Sequence, residues 1–300
     1  MNGVLIIDKP SGLTSHDVVN RVRRIIGQRS VGHLGTLDPL ATGVLPVVFG
    51  SLTRLAQFYS NSEKSYEGII RFGFATDTYD AEGDPVGPQR SVTVSLDELR
   101  QAARRFLGTI EQVPPPFSAK KIHGVPAYKL ARKKKPVTLE SVQVEISEFQ
   151  ITSFEEDRAA FRARVASGTY MRSVAHDLGS TLGFGAHLES LRRTGVAEFA
   201  IADAHTLEQV ETAWQAGKCD AICVHPRKLM PDMPSVTAPD EVAAHIRSGR
   251  AVNLPDFSRA KQVKVFYGQA ELIAIATRVA GTLFHPKIVL ASEPAVPAAG

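Results

Sequence analysis

The chain has 300 residues, 43% hydrophobic and 22% charged, with a formal net charge of +4, an ordinary globular composition with room for one large core and a smaller second domain. The apolar opening Val4-Leu5-Ile6-Ile7 is cut by Asp8-Lys9-Pro10, too short for a signal core. No later run approaches bilayer-spanning length, so no membrane role is read and a cytoplasmic chain is expected. The basic balance tilts weakly towards a polyanionic partner. Cys219 and Cys223 are the only cysteines, and without a second pair or matching histidine spacing they read as reduced structural thiols, not zinc ligands.

Residues 4–8 read as a strand. Thr14 with Asp17 forms a capping box for a helix whose Val18, Val22, Ile25 and Ile26 share a face, and Gly27 stops it. Residues 32–45 are rich in Gly and Pro and hold little that packs regularly, so they read as a long structured loop feeding a strand at 44–49; such loops usually carry function. Residues 66–74 form another predicted strand, Ser95 with Glu98 caps a helix running to Phe106, and Phe161, Ala163 and Val165 alternate with Arg162 and Arg164 as a half-buried strand. Strands and helices alternate irregularly, without the rhythm of a doubly wound fold, which predicts an α+β domain around a mixed or antiparallel sheet.

Four prolines, Pro226, Pro231, Pro234 and Pro239, mark a boundary: residues 1–230 form the first domain, 231–239 a linker and 240–291 a second domain. The second domain starts with a helix at 240–248. Strands follow at 263–267 and 271–279, across the Gly268-Gln269 turn, and then at 282–290, suggesting a small barrel-like unit. The tail 292–300, built of Ala, Pro and Gly, is expected to be disordered. No internal repeat is seen.

The stretch Gly32-His33-Leu34-Gly35-Thr36-Leu37-Asp38-Pro39-Leu40-Ala41-Thr42-Gly43 is the most informative. Pro39 pushes Asp38 into an extended conformation while the flanking glycines allow tight geometry, a turn that presents a carboxylate rigidly. An isolated Asp-Pro would more often be an Asx-type turn. The acidic group Asp77, Asp80, Glu82 and Asp84 lacks EF-hand spacing and its late glutamate, so no metal is expected there. Between Glu111 and Glu140 no acidic residue occurs, while Lys120, Lys121, Lys129, Arg132, Lys133, Lys134 and Lys135 gather beside Phe117 and Tyr128. Basic residues next to stacking aromatics suit a structured RNA loop; a solvated lysine face is the competing reading, strongest for Lys133 to Lys135.

The loop string resembles the catalytic loop of the TruB family of pseudouridine synthases. The resemblance continues in Asp8-Lys9-Pro10-Ser11-Gly12, Lys64-Ser65-Tyr66-Glu67-Gly68, Thr76-Asp77-Thr78-Tyr79-Asp80, Pro115-Pro116-Phe117-Ser118-Ala119-Lys120, residues 124–132, Gly168-Thr169-Tyr170-Met171-Arg172-Ser173 and Leu191-Arg192-Arg193-Thr194. In order and spacing these cover most of residues 4–199. Leu34, Met171 and Gly195-Val196-Ala197 depart from the family's usual residues, which bears on details of RNA contact.

The resemblance implies an isomerase that converts uridine to pseudouridine at position 55 in the T-loop of tRNA, after flipping the base from its stack. Asp38 would be the catalytic carboxylate, acting as nucleophile or as a base at C2′. Arg172 would pair with it, Tyr66 would stack on the flipped base near C5, Tyr170 would hydrogen-bond within the Asp38–Arg172 cluster, and Leu191 would close the apolar side. His33, Lys9, Lys120 and Phe117 would contact the substrate, and an inserted segment at about 112–139 would fold over the T-loop. The second domain would be a PUA-like RNA-binding unit. No redox change occurs in the reaction, so no cofactor is expected, in keeping with the lack of a Walker loop, a Gly-x-Gly-x-x-Gly turn or an His-Glu-x-x-His helix. A monomer needing no protein partner is expected. Two rival readings are an RNA-folding protein with secondary catalysis and a guide-RNA-dependent relative that needs partner proteins.

Overall fold

Strand β1 (Gly3–Lys9) is buried on both sides, with Leu5 and Ile7 facing one core and Val4 and Ile6 another. That accounts for a continuous apolar run where a half-exposed strand would alternate. The computed structural model describes residues 1–118, 120–122, 124–127, 130, 139–254 and 260–290. The expectations for Tyr128, Lys129, Arg132, Lys133, Lys134, Lys135 and the tail at 292–300 lie outside the described residues.

A nine-stranded sheet runs in the order β1, β3 (Thr42–Phe49), β12 (Ala186–Val196), β4 (Lys64–Phe72), β11 (Arg158–Val165), β10 (Val142–Glu155) and β7 (Gly108–Gln112). Off this path, β2 (Val31–His33) pairs with β3 and β13 (Phe199–Ala200) with β12. All pairings are antiparallel except β3 with β12, which touch in parallel at Thr42 and Gly43, so the sheet is mixed, as the irregular alternation predicts. That parallel contact carries the end of the 33–43 loop to the centre of the sheet. Gly43 is required there: its φ is +96°, and a Cβ would fall 2.2 Å from the Arg193 carbonyl oxygen.

Helix α1 (Ser15–Ile26) has the predicted Thr14–Asp17 capping box and ends on Gly27 at φ 66°. Its Val18, Val22 and Ile26 join α2 (Leu96–Ala103), α3 (Met171–Leu182) and α4 (Leu207–Gln215) in covering one face of the sheet. Two short ribbons pair β5 (Ala75–Thr76) with β6 (Pro85–Val86) and β8 (Lys121–Ile122) with β9 (Val125–Pro126). Among the described residues no helix is long and apolar enough to cross a membrane.

The second unit is a five-stranded sheet in the order β14 (Ser235–Ala238), β16 (Gln262–Tyr267), β17 (Glu271–Ala280), β18 (Leu283–Val289) and β15 (Val252–Asn253), with helix α5 (Asp240–Arg247) packed on it. Four residues of the expected linker therefore form strand β14, which pairs in parallel with β16. The prolines flank the strand instead of dissolving it: Pro234 precedes it and Pro239 follows it. The chain entering β14 is also pinned, because the buried Lys264 ammonium donates to the carbonyls of Leu229 (2.7 Å) and Met230 (3.0 Å). Phe266, Leu272, Ile275 and Ile288 pack with Val4, Ile6, Val44 and Val48 in one apolar cluster, so this sheet covers the far face of β1 and β3.

Candidate active site

The 33–43 loop is held through its carbonyl groups. Ser15 accepts from the Leu37 amide at 2.8 Å and donates to the Leu37 carbonyl at 3.0 Å. Ser11 donates to the Leu40 carbonyl (3.3 Å), and the Gly12 amide to that of Pro39 (2.9 Å). From the other side, Arg193 on β12 donates to the carbonyls of Gly35 (3.0 Å), Thr36 (3.2 Å) and Val44 (2.8 Å), with 0% of the residue exposed. Burial pulls the Arg193 guanidinium below its ordinary value, against the opposing pull of Tyr66. An irregular loop carries backbone groups with no ladder to join, and these donors supply the missing partners.

Asp38 projects from this loop with its side chain 41% exposed, while Arg172 beside it is 6% exposed. Arg172 Nε lies 2.9 Å from Asp38 Oδ2, but the approach is off the N–H axis, so the contact is an ion pair without an aligned hydrogen bond. The other guanidinium nitrogens are well directed: Nη1 donates to the Thr78 carbonyl (3.1 Å) and Nη2 to that of Phe117 (3.0 Å). A second carboxylate, Asp80, stands 3.6 Å from Nη1 with only 5% of its side chain exposed. Asp80 itself accepts from the Thr78 hydroxyl (2.5 Å) and the Glu82 amide (3.1 Å). A guanidinium fixed at four points between two carboxylates is a rigid platform for the more exposed one. Part of the acidic group therefore serves to hold Arg172. Among the described residues no group of His, Cys, Asp and Glu is placed to hold a metal ion.

The other expected site residues are distributed as follows. Tyr66 is buried on β4, opposite Arg193 in the register, and Leu191 is buried opposite Gly68; both join the apolar cluster that includes Leu37, Ala41 and Met171. His33 ends β2, half-buried, with Nδ1 accepting from the Gly35 amide at 3.3 Å; burial and then Arg193 lower its pKa. Tyr170 precedes α3, where Gln112 clamps its backbone through both the amide (2.8 Å) and the carbonyl (3.1 Å). Burial raises the Tyr170 phenol, the facing Ser118 hydroxyl opposes this, and Asp38 and Arg172 act on it from further off. Its hydroxyl makes no hydrogen bond to Asp38 or Arg172 among the described residues, so its neighbour differs from the one expected. Phe117 reaches the cluster through its carbonyl, and Lys120 is exposed, its own carbonyl accepting from the Ala127 amide at 2.7 Å.

Lys9 departs furthest from its expected place. It is fully buried and donates to the carbonyls of Pro10 (2.9 Å), Leu13 (2.6 Å) and Pro39 (3.2 Å). Those contacts make it a support of the Asp38 turn and leave no face for a substrate. Burial brings its ammonium down to about 8, with Asp38 and Glu82 pulling the other way.

Three supports escaped the sequence reading: Ser15, Asp80 and Arg193. For Arg193 there was a usable signal. Leu191 and Arg193 are two residues apart on one strand and so share a face, and a strand with Leu191 facing inwards turns Arg193 inwards too. A groove of about 710 Å3 opens beside the loop, lined by Leu40, Thr42, Gly68, Ile69, Leu191 and Arg192 among others.

Residues 23–171 match the family model described as TruB family pseudouridylate synthase, N-terminal domain, and residues 172–230 match the tRNA pseudouridylate synthase B C-terminal domain. A Solibacter usitatus protein named tRNA pseudouridine synthase B is 47% identical over 293 residues, 97% of this chain and 100% of that one. A Pseudomonas putida protein of the same name is 37% identical over 299 residues, 98% of this chain and 97% of that one. Among solved structures, a chain of a Cbf5-Nop10-Gar1 complex superposes with a TM-score of 0.71 at 25% identity, covering 96% of this chain and 85% of that one. A chain of an H/ACA RNP bound to a substrate RNA containing 2′-deoxyuridine gives 0.72 at 23% identity, covering 97% and 85%, a likeness of fold.

Proposed function

The chain belongs to the TruB family of pseudouridylate synthases, and on that premise we propose that it isomerises the uridine at position 55 in the T-loop of tRNA, with Asp38 as the catalytic carboxylate. The observation that supports the role of Asp38 is its ion pair at 2.9 Å with the buried Arg172, made by a carboxylate whose own side chain is 41% exposed, whereas Asp80, the second carboxylate beside Arg172, is buried.

The reaction breaks the bond from C1′ to N1, turns the base, joins C1′ to C5, and moves the C5 proton off while N1 gains one. Atoms and electrons balance within the nucleoside. A carboxylate starts this either by adding to the sugar or the base or by taking the C2′ proton. Each route needs Asp38 ionised in a site that the RNA will close, and a fixed guanidinium opposes the desolvation that disfavours the charge. In this reading Tyr66 stacks on the flipped base, Leu191 bounds the apolar side, His33 faces the RNA near the vacated base position, and the segment at 112–139 folds over the loop. The chain works as a monomer without a protein partner.

The test is tRNA transcribed with uridine tritiated at C5, incubated with the purified chain alone. Isomerisation releases the label to water, and mapping the product locates the site. No release by the chain alone refutes the reading, and release from a position outside the T-loop refutes the assigned substrate site.

A further inference from the structure

Lys64 and Arg193 stand beside the Asp38 loop, with no carboxylate between them among the described residues. Gly35 marks where they converge: a Cβ built there would lie 3.6 Å from Arg193 Nη1 and 3.9 Å from Lys64 Cε. Arg193 is sealed inside, its donors engaged by loop carbonyls. Lys64 is half-buried at the start of β4, and the one hydrogen bond of its side chain among the described residues runs from Nζ to the Ser62 carbonyl at 2.6 Å. Two ammonium protons remain to be used.

The charged groups around Lys64 leave it uncompensated. The adjacent Glu63 is engaged by Arg164 at 3.7 Å and by the Ser147 hydroxyl at 2.8 Å. On β12, Arg193 repels it; on β2, His33 is subject to the same repulsion from Arg193. Burial, and then Arg193, bring the Lys64 ammonium down to about 8. Clustering like charges in a partly desolvated place is unfavourable unless an opposite charge arrives from outside.

We propose that Lys64, with Arg193 behind it, forms a subsite for one phosphate group of the RNA backbone beside the Asp38 loop. The proposal rests on the reading of the chain as a tRNA-modifying enzyme. A phosphodiester suits the site because an ammonium is a point donor for an oxyanion, needing no planar two-pronged partner. Gly35, at φ +134°, leaves the approach clear of a side chain. A bound phosphate supplies the missing negative charge and draws the ammonium pKa back up, so binding above pH 8 takes up a proton.

The test measures binding of an unmodified tRNA transcript to wild type, Lys64→Gln and Lys64→Arg over a range of salt. Losing one phosphate contact makes the slope of log affinity against log salt shallower by about 0.7–0.9 in Lys64→Gln, while Lys64→Arg keeps the slope. A Lys64→Gln slope equal to wild type overturns the subsite, and weakened affinity with that same slope makes Lys64 a structural support of Gly35. A second arm needs no charge removal. Between pH 7 and 9 wild type loses affinity as Lys64 deprotonates, and Lys64→Arg loses less, with Lys9 common to both proteins. Equal losses in the two proteins overturn the proposal. Tritium release by wild type on the same tRNA separates the two claims: release with an unchanged Lys64→Gln slope removes the subsite alone, and no release removes the reading beneath it.

Discussion

Substituting Arg172 by lysine tests whether this side chain positions Asp38 or grips RNA. The arginine makes four contacts with 6% of its side chain exposed: Asp38 at 2.9 Å, Asp80 at 3.6 Å, and the carbonyls of Thr78 and Phe117 at 3.1 and 3.0 Å. A lysine ammonium is a single point and cannot span partners on three sides of a planar fork. Two charge-assisted hydrogen bonds of about 1.5–3 kcal/mol each are at stake; an ammonium that recovers part of one leaves a loss of about 2–4 kcal/mol, readable as a shift in the urea midpoint. Asp38 then loses its fixed partner, and a misplacement of about 1 Å in a reacting group costs on the order of a hundredfold in rate. The assay is single-turnover tritium release at saturating tRNA. A wild-type rate at saturation, combined with weakened tRNA affinity, would refute the positioning account and assign Arg172 to the RNA.

Asp38→Asn should leave the urea midpoint within about 1 kcal/mol of wild type, since the side chain is 41% exposed, and should lower single-turnover release at least a thousandfold, about 4 kcal/mol in the barrier; residual turnover after deamidation is excluded by mass spectrometry would remove Asp38 from its role. Arg193→Met leaves the carbonyls of Gly35, Thr36 and Val44 without their donor, at about 1–3 kcal/mol each where they stay dry, so a loss of at least about 3 kcal/mol is expected; a change under 1 kcal/mol in urea would show that the loop does not depend on it. Asp177 gives the pH dependence. Burial raises its carboxyl from 3.8 to about 6, so the folded state prefers the protonated form, and the favourable term, complete below pH 4, is lost as pH rises to 6. Asp177→Asn should therefore melt higher than wild type at pH 7 and gain nothing at pH 4, and a gain independent of pH would contradict the assignment.

Local signals carried the elements well. The Thr14–Asp17 and Ser95–Glu98 capping boxes both form, because a cap is decided within four residues. Strand β14 was invisible for the opposite reason: Val236 and Ala238 face inwards only because β16, nearly thirty residues later, offers a parallel edge, and flanking prolines are the ordinary mark of a linker. The supports of the site were hidden in the same way. Asp80 meets Arg172 across 92 positions of chain, and Arg193 meets Gly35 across 158. Nothing near Asp80 distinguishes a carboxylate that holds an arginine from one that faces solvent, and Lys9 next to a proline gives no sign that its ammonium will be sealed against Pro39.

The position of the Phe117 carbonyl joins two parts of the reading. Arg172 Nη2 is bound at 3.0 Å to the start of the segment expected to cover the T-loop, and Ser173 binds the Val113 carbonyl of the same stretch at 2.8 Å. Gln112 fastens Tyr170 to it from the other side. The first turn of α3 is therefore bolted to residues 112–117, and the guanidinium that faces Asp38 is one of the bolts. A displacement of this segment by bound RNA would move an Arg172 ligand without breaking the Asp38 contact, because the two use different nitrogens. Under the proposed function, substrate engagement and placement of the carboxylate would thus meet in one side chain, and an arginine, with donors on separate faces of its fork, is suited to serve both.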